Sequence, residues 1–159
     1  MKITILAVGK IKEKYLKEGI AEYAKRLGRY CKLEIIEVRD EKTPDHISET
    51  QGMLIKLKES ERLLRYVHDS DYVIALAIDG TALDSVGLSK KIENLGISGS
   101  SHLVFVIGGS LGLSEQVLMR ADYKLSFSNL TFPHQLMRMI LLEQVYRGYR
   151  IMNHEPYHK

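Results

Sequence analysis

The feature that most restricts this chain is a regular alternation of short β-rich runs with stretches of helical spacing. KITILAV (2–8), KLEIIEV (32–38), YVIALAI (72–78) and HLVFVI (102–107) are the strong runs, and DYKLS (122–126) is a weaker fifth. Between them, apolar residues recur every three or four positions. Strands that alternate with helices imply crossover connections, hence a mostly parallel sheet flanked by helices on both faces. The expected class is therefore α/β. No repeat, low-complexity tract or Pro/Gly-rich linker breaks the pattern, so one domain over residues 1–159 is expected. A chain of that length buries roughly 70% of its unfolded surface and can build a core without disulfide or metal staples.

Several helical boundaries can be read directly. Ile11, Tyr15, Leu16, Ile20, Tyr23, Ala24 and Leu27 form one stripe, with Lys10, Lys12, Lys14, Lys17, Lys25, Arg26 and Arg29 mostly on the opposite side. Thr43 with Pro44 predicts the start of the next long helix, since Ser/Thr caps and a proline in the first turn favour initiation. Leu88, Ile92 and Leu95 mark a helix near 85–95, and Ser114 predicts the cap of a short one. The last helix is expected from Pro133 to Met152. Apolar residues cover well over one of its faces, which fits either a central core helix or a helix that also meets a second subunit in a two-fold dimer.

Charge and composition narrow the classes of function. The formal net charge is +3, and the surplus lies in residues 1–70, with 15 basic and 12 acidic side chains against 8 of each thereafter. The basic side of the first helix reads either as a solvated face or as a surface for phosphates. One cysteine, Cys31, cannot form an internal bridge, and no apolar run approaches the roughly 18 residues of a membrane span. A cytoplasmic protein without membrane contact is expected. His154 and His158 lack supporting cysteine or carboxylate ligands at metal-site spacing, so no metal is expected.

Ligands of open parallel sheets collect beyond the carboxyl ends of the strands. Three such loops stand out: Asp79-Gly80-Thr81, Gly108-Gly109-Ser110-Leu111-Gly112, and Phe127-Ser128-Asn129-Leu130-Thr131-Phe132 before Pro133. The second does not spell G-x-G-x-x-G, because Ser110 stands where the second glycine is needed. It does satisfy G-x-S-x-G, the turn that presents a nucleophilic serine, and Asp122 and His134 follow in hydrolase order. A tight structural turn satisfies it equally well. The third loop offers aromatic walls with hydroxyl and backbone hydrogen bonds and no fixed charge, a composition suited to an adenine nucleoside. The ending NHEPYHK places His154, Tyr157, His158 and Lys159 behind Arg147 and Arg150, cations and aromatics suited to an anionic, base-bearing substrate.

On these residues the chain resembles a known family. KITILAVGK, VIGGSLGLS, LSFSNLTFPHQLMRMILLEQVYRGYRI and NHEPYHK are similar to the ribosomal RNA large-subunit methyltransferase H family of the SPOUT class, and the resemblance spans essentially the whole chain. It implies an α/β knot, whose C-terminal segment makes a deep trefoil knot, and a homodimer that uses S-adenosyl-L-methionine. The implied reaction is methylation of N3 of a pseudouridine in helix 69 of 23S ribosomal RNA, within the assembled ribosome. The implied cofactor site falls on Leu76, Gly108 and Phe127, Ser128, Asn129, Leu130, Thr131 and Phe132. His158 or Tyr157 is expected beside the reacting base, with Arg147, Arg150 and Lys159 on phosphates and His134 as a lesser candidate. Relatives can end NHPYHR, whereas here Glu155 stands between His154 and Pro156. A small serine hydrolase built on Ser110 and a non-catalytic ribosome-binding protein are the competing functions.

Overall fold

The computed structural model describes residues 1–159. Five strands, β1 (Lys2–Val8), β2 (Lys32–Val38), β3 (Tyr72–Ala82), β4 (His102–Ile107) and β5 (Tyr123–Ser126), form one sheet in the order β2-β1-β4-β3-β5. Every pairing is parallel. The connections are α1 (Lys14–Leu27), α2 (Glu49–Leu64), α3 (Ser85–Ile97) and α4 (Glu115–Arg120), and α5 (His134–Met152) follows β5.

Strand alternation divides the core into two layers. On one face Ile3, Ile5, Ala7, Leu103, Phe105 and Ile107 pack beneath α1, α3 and α5. On the other, Leu6, Val8, Val73, Val104 and Val106 pack toward α2 and α4 through Leu63 and Val117. The central strands are therefore apolar on both sides, as parallel strands covered twice must be. α5 lies against both α1 and α3. Gly148 makes this possible on the α3 side, where the Ser89 hydroxyl donates to the Gly148 carbonyl at 2.8 Å. Two neighbouring helices and the sheet thus account for much of the apolar excess of α5.

Four expectations about local structure change. α2 begins at Glu49 rather than at Thr43-Pro44: Ser48 and Gln51 form a reciprocal capping box that satisfies two backbone donors at once. Thr43 instead faces Ser110, with their hydroxyl oxygens 3.4 Å apart. Asp79-Gly80-Thr81 is not a free loop. β3 continues through it past a bulge and re-pairs with β5, and a Cβ at Gly80 would lie 2.7 Å from the Lys124 carbonyl oxygen. Tyr15 leaves the buried stripe of α1 and is 67% exposed. Ser114 does cap α4 in position, but its buried hydroxyl bonds no helix N–H.

Candidate functional site

A cleft of about 790 Å³ opens beyond the carboxyl ends of β3, β4 and β5, within the range of small-molecule sites. Leu76, Ala77 and Ile78 of the β3 bulge form one wall, and residues 108–112 form a second. The 127–132 loop and the first turn of α5, with His134, Gln135 and Met137, close the rest. The structure thus brings together Leu76, Gly108, Phe127, Ser128, Leu130, Thr131 and Phe132 from three separate loops, while Asn129 is not among the lining residues. Ser128 shapes its own loop: its hydroxyl accepts from the Leu130 N–H at 3.0 Å, and its carbonyl accepts from Ser126 at 3.3 Å. Ile78 and Leu130 are 51% and 69% exposed at the rim.

The glycine loop closes on itself. Gly109 and Gly112 pair as an isolated bridge, and Gly112 has φ +84°. A Cβ on Gly108 would sit 2.6 Å from the Gly112 carbonyl carbon. Glycine is therefore required at 108 by the return of its own loop, and the resulting bare backbone faces the cleft. The hydrolase arrangement is absent. Asp122 accepts from the Val73 N–H at 2.8 Å and pairs with Arg120 where β3 and β5 begin, at the opposite end of the sheet from Ser110. Ser110 also has no left-handed backbone, since His154 is the only non-glycine residue with positive φ.

His134 is the one ionisable side chain lining the cleft. Burial and the neighbouring Arg138 push its pKa down, while Asp40 opposes them. It makes no side-chain hydrogen bond, so its neutral ring keeps a free lone pair. Beneath it, Arg138 is 1% exposed and bonds Glu37 and the carbonyl of Gly9. Gly9 itself turns at φ +89°, and a Cβ there would lie 3.8 Å from His134 Nε2. Arg138 escaped attention in the sequence, although its spacing from Leu141, Leu142 and Val145 puts it on the buried face of α5.

The tail is ordered and lies elsewhere. Arg150 bonds Glu155, the Tyr30 hydroxyl and the Pro156 carbonyl. Glu155 also accepts from Tyr30 at 2.7 Å. The Tyr30 hydrogen bond and Arg150 hold the Glu155 carboxyl below its usual range. The residue that stood out as an insertion is thus an anchor, and Arg150 is committed to it rather than free for phosphate. Tyr157 packs edge-on against Tyr146, with centroids 4.9 Å apart, and donates to Glu143 at 3.0 Å. Burial, followed by the Glu143 carboxylate, pushes its phenol up to about 12, so it stays protonated. Arg147 Nη1 lies 3.1 Å from His158 Nδ1. A guanidinium only donates, so Nδ1 accepts and His158 presents Nε2–H outward. Glu143 and Arg147, which hold Tyr157 and His158, follow His134 by nine and 13 residues and so stand about 14 and 20 Å further along α5.

An α/β sheet with a strand-end cleft of apolar walls and close glycine backbone has the form of a small-molecule site. The family model described as "Predicted SPOUT methyltransferase" matches residues 1–158, and the chain belongs to that family of methyltransferases. Proteins called "Ribosomal RNA large subunit methyltransferase H" are similar over their entire length. Those of Clostridium tetani, Bifidobacterium adolescentis and Clostridium kluyveri are 62%, 61% and 60% identical, with 100% of both chains covered. A solved structure titled as a probable methylase family protein from Haemophilus influenzae shares the fold, with TM-score 0.51 and 14% identity over 99% of this chain and 70% of that one.

Proposed function

We propose that this chain transfers the methyl group of S-adenosyl-L-methionine to N3 of a pseudouridine in helix 69 of 23S ribosomal RNA, acting on the assembled ribosome as a homodimer. Full-length identity of about 60% to enzymes named for large-subunit ribosomal RNA carries this reading. The cleft suits the cofactor: Leu76, Phe127 and Phe132 supply apolar walls, and the bare backbone at Gly108 permits close approach. Such a cofactor supplies a methyl already activated on a sulfonium, so the protein's work is alignment, exclusion of water and handling of one proton. An enzyme with this substrate works where ribosomes are, in the cytoplasm.

The geometry supports the following roles. The N3 proton must leave as nitrogen attacks, which calls for an acceptor in its neutral form. His134 meets that requirement. Tyr157 does not, because its phenol is protonated and engaged, and His158 serves as a donor to a carbonyl of the base. Arg147 orients His158, and Lys159 remains for phosphate. The tail is held on α5 about 14 to 20 Å beyond its own cleft, which supports a role in the cleft of the partner subunit. Threading of the C-terminal segment into a trefoil knot belongs to the same proposal. Calorimetry should detect S-adenosyl-L-methionine binding, and incubation with intact ribosomes lacking the modification should yield methylated pseudouridine. Cofactor binding without methylation of ribosomes or of naked 23S RNA would refute the substrate.

A further inference from the structure

The cofactor cleft occupies one part of the sheet's carboxyl edge, and the neighbouring part carries an unexplained surface. Lys10 and Lys12 follow β1, and Lys14 and Lys17 stand in the first turn of α1, all exposed. Lys14 reaches Glu18 only at 3.8 Å, and the other three pair with no carboxylate. Among them stands Tyr15, its ring 67% exposed, while Leu16 and Ile20, which follow it in the helix, are buried. A tyrosine on a solvated helix face gains nothing from the core. Its ring is free to stack.

This surface adjoins the cleft. The turn at Gly9, which delivers Lys10, lies against His134 of the cleft wall. Glu13 and Glu18 share this segment and Asp40 approaches the Gly9 turn, so the four lysines outnumber these acids only slightly. A modest surplus arranged around one aromatic suits a strand of nucleic acid better than a diffuse anionic surface, because it pairs phosphate contacts with a platform for a base.

We infer that Lys10, Lys12, Lys14, Lys17 and Tyr15 form an RNA-docking platform beside the cofactor cleft, with the lysines on consecutive phosphates and an unpaired base stacked on Tyr15. The inference rests on the reading of the substrate as RNA. Its consequence is that the chain holds its RNA along β1 and α1 of the subunit whose cleft is used, while the partner's tail approaches from the other side.

The test uses the full-length protein and a fluorescently labelled RNA stem-loop copied from the ribosomal target. Replacing Lys10, Lys12 and Lys17 together by Gln should weaken binding at least tenfold and flatten the salt dependence by roughly 0.7 per lost contact, or about two units in all. Tyr15→Ala should weaken binding roughly tenfold, and Tyr15→Phe should restore it, since the ring and not the hydroxyl stacks. With ribosomes as substrate the loss should appear in KM. Cofactor affinity and dimer mass should not change. Equal affinity and equal salt slope in wild type and variants would overturn the platform, and a drop to monomer mass would show that the patch is a subunit contact instead. If the wild type fails to methylate ribosomes, the proposed reaction is refuted. The RNA-binding comparison then judges the platform separately.

Discussion

The two ends of the sheet are built by opposite rules. Where the strands begin, polar groups are matched: His102 bridges Asp71 at 2.7 Å and Thr4 at 2.8 Å, and Arg120 bonds the carbonyls of His68 and Asp71. The same end holds the stacked pair of Tyr30 and Tyr149, with Arg150 and Glu155 fastening the tail. Where the strands finish, the cleft keeps an unpaired His134, bare glycine backbone and exposed Ile78 and Leu130. Groups engaged with their own chain are held in place, while groups left without partners beside a cleft are available to a ligand. The difference teaches that the tail, although rich in catalytic residue types, is fastened to the other end of its own chain from the cleft.

The largest effect should come from separating the two ends. Deleting Pro156 to Lys159 should abolish methylation, while the cofactor affinity of the cleft, read by calorimetry, stays within about twofold. Gly108→Arg should abolish cofactor binding, because the added side chain strikes the Gly112 backbone as well as the cleft. Mixed dimers of these two inactive variants should regain one working site. Continued inactivity despite demonstrated subunit exchange would return the tail to its own subunit.

A smaller effect is expected inside the cleft. His134→Asn should lower kcat by about a hundredfold, within the usual range for loss of a positioned base. Burial and Arg138 lower the pKa of His134, so its neutral form persists through neutral pH. Wild-type kcat should accordingly fall only as pH drops toward that lowered value, and the asparagine variant should lose this acid limb. An unchanged limb would assign the proton to another acceptor.

Loosening the matched end should cost less. Glu155→Ala removes the partner of Arg150 and Tyr30, and a several-fold loss of kcat is expected with cofactor affinity intact. A loss as complete as the deletion would mean that Glu155 itself reaches the substrate.

The smallest effect concerns stability behind the glycine loop. Glu59 is buried, accepts from the Glu41 N–H at 3.0 Å with one oxygen and leaves the other unpartnered. Burial raises its pKa. A carboxyl whose folded pKa is raised costs stability once pH exceeds its unfolded value, and the cost grows until the folded group ionises. Glu59→Gln should therefore stabilise the protein by about 1 kcal/mol at neutral pH, with the gain vanishing below pH ~4. Denaturant melts at both pH values would expose a gain independent of pH, which would assign the effect to packing instead.

The sequence by itself determined the α/β class, the five strands and the loops that meet at the cleft. Short β-rich apolar runs and three-to-four spacing are local signals, and strand ends are fixed once strands are known. Gly108 and the 127–132 loop were legible for that reason. The strand order, which sets β4 between β1 and β3, was decided only by tertiary packing, as was the bulge that turns Asp79-Gly80-Thr81 back into β3. The start of α2 also depended on a choice between caps, and the Ser48–Gln51 box won by satisfying two donors rather than one. The tail shows the limit most clearly. Its histidine, tyrosine and basic residues announced chemistry, but whether each was free or engaged depended on Tyr30 and Glu143, which lie 125 and 14 residues away from their tail partners. Hydrogen bonding across such distances leaves no periodic trace in a chain, and only the fold could assign Arg150 to anchoring.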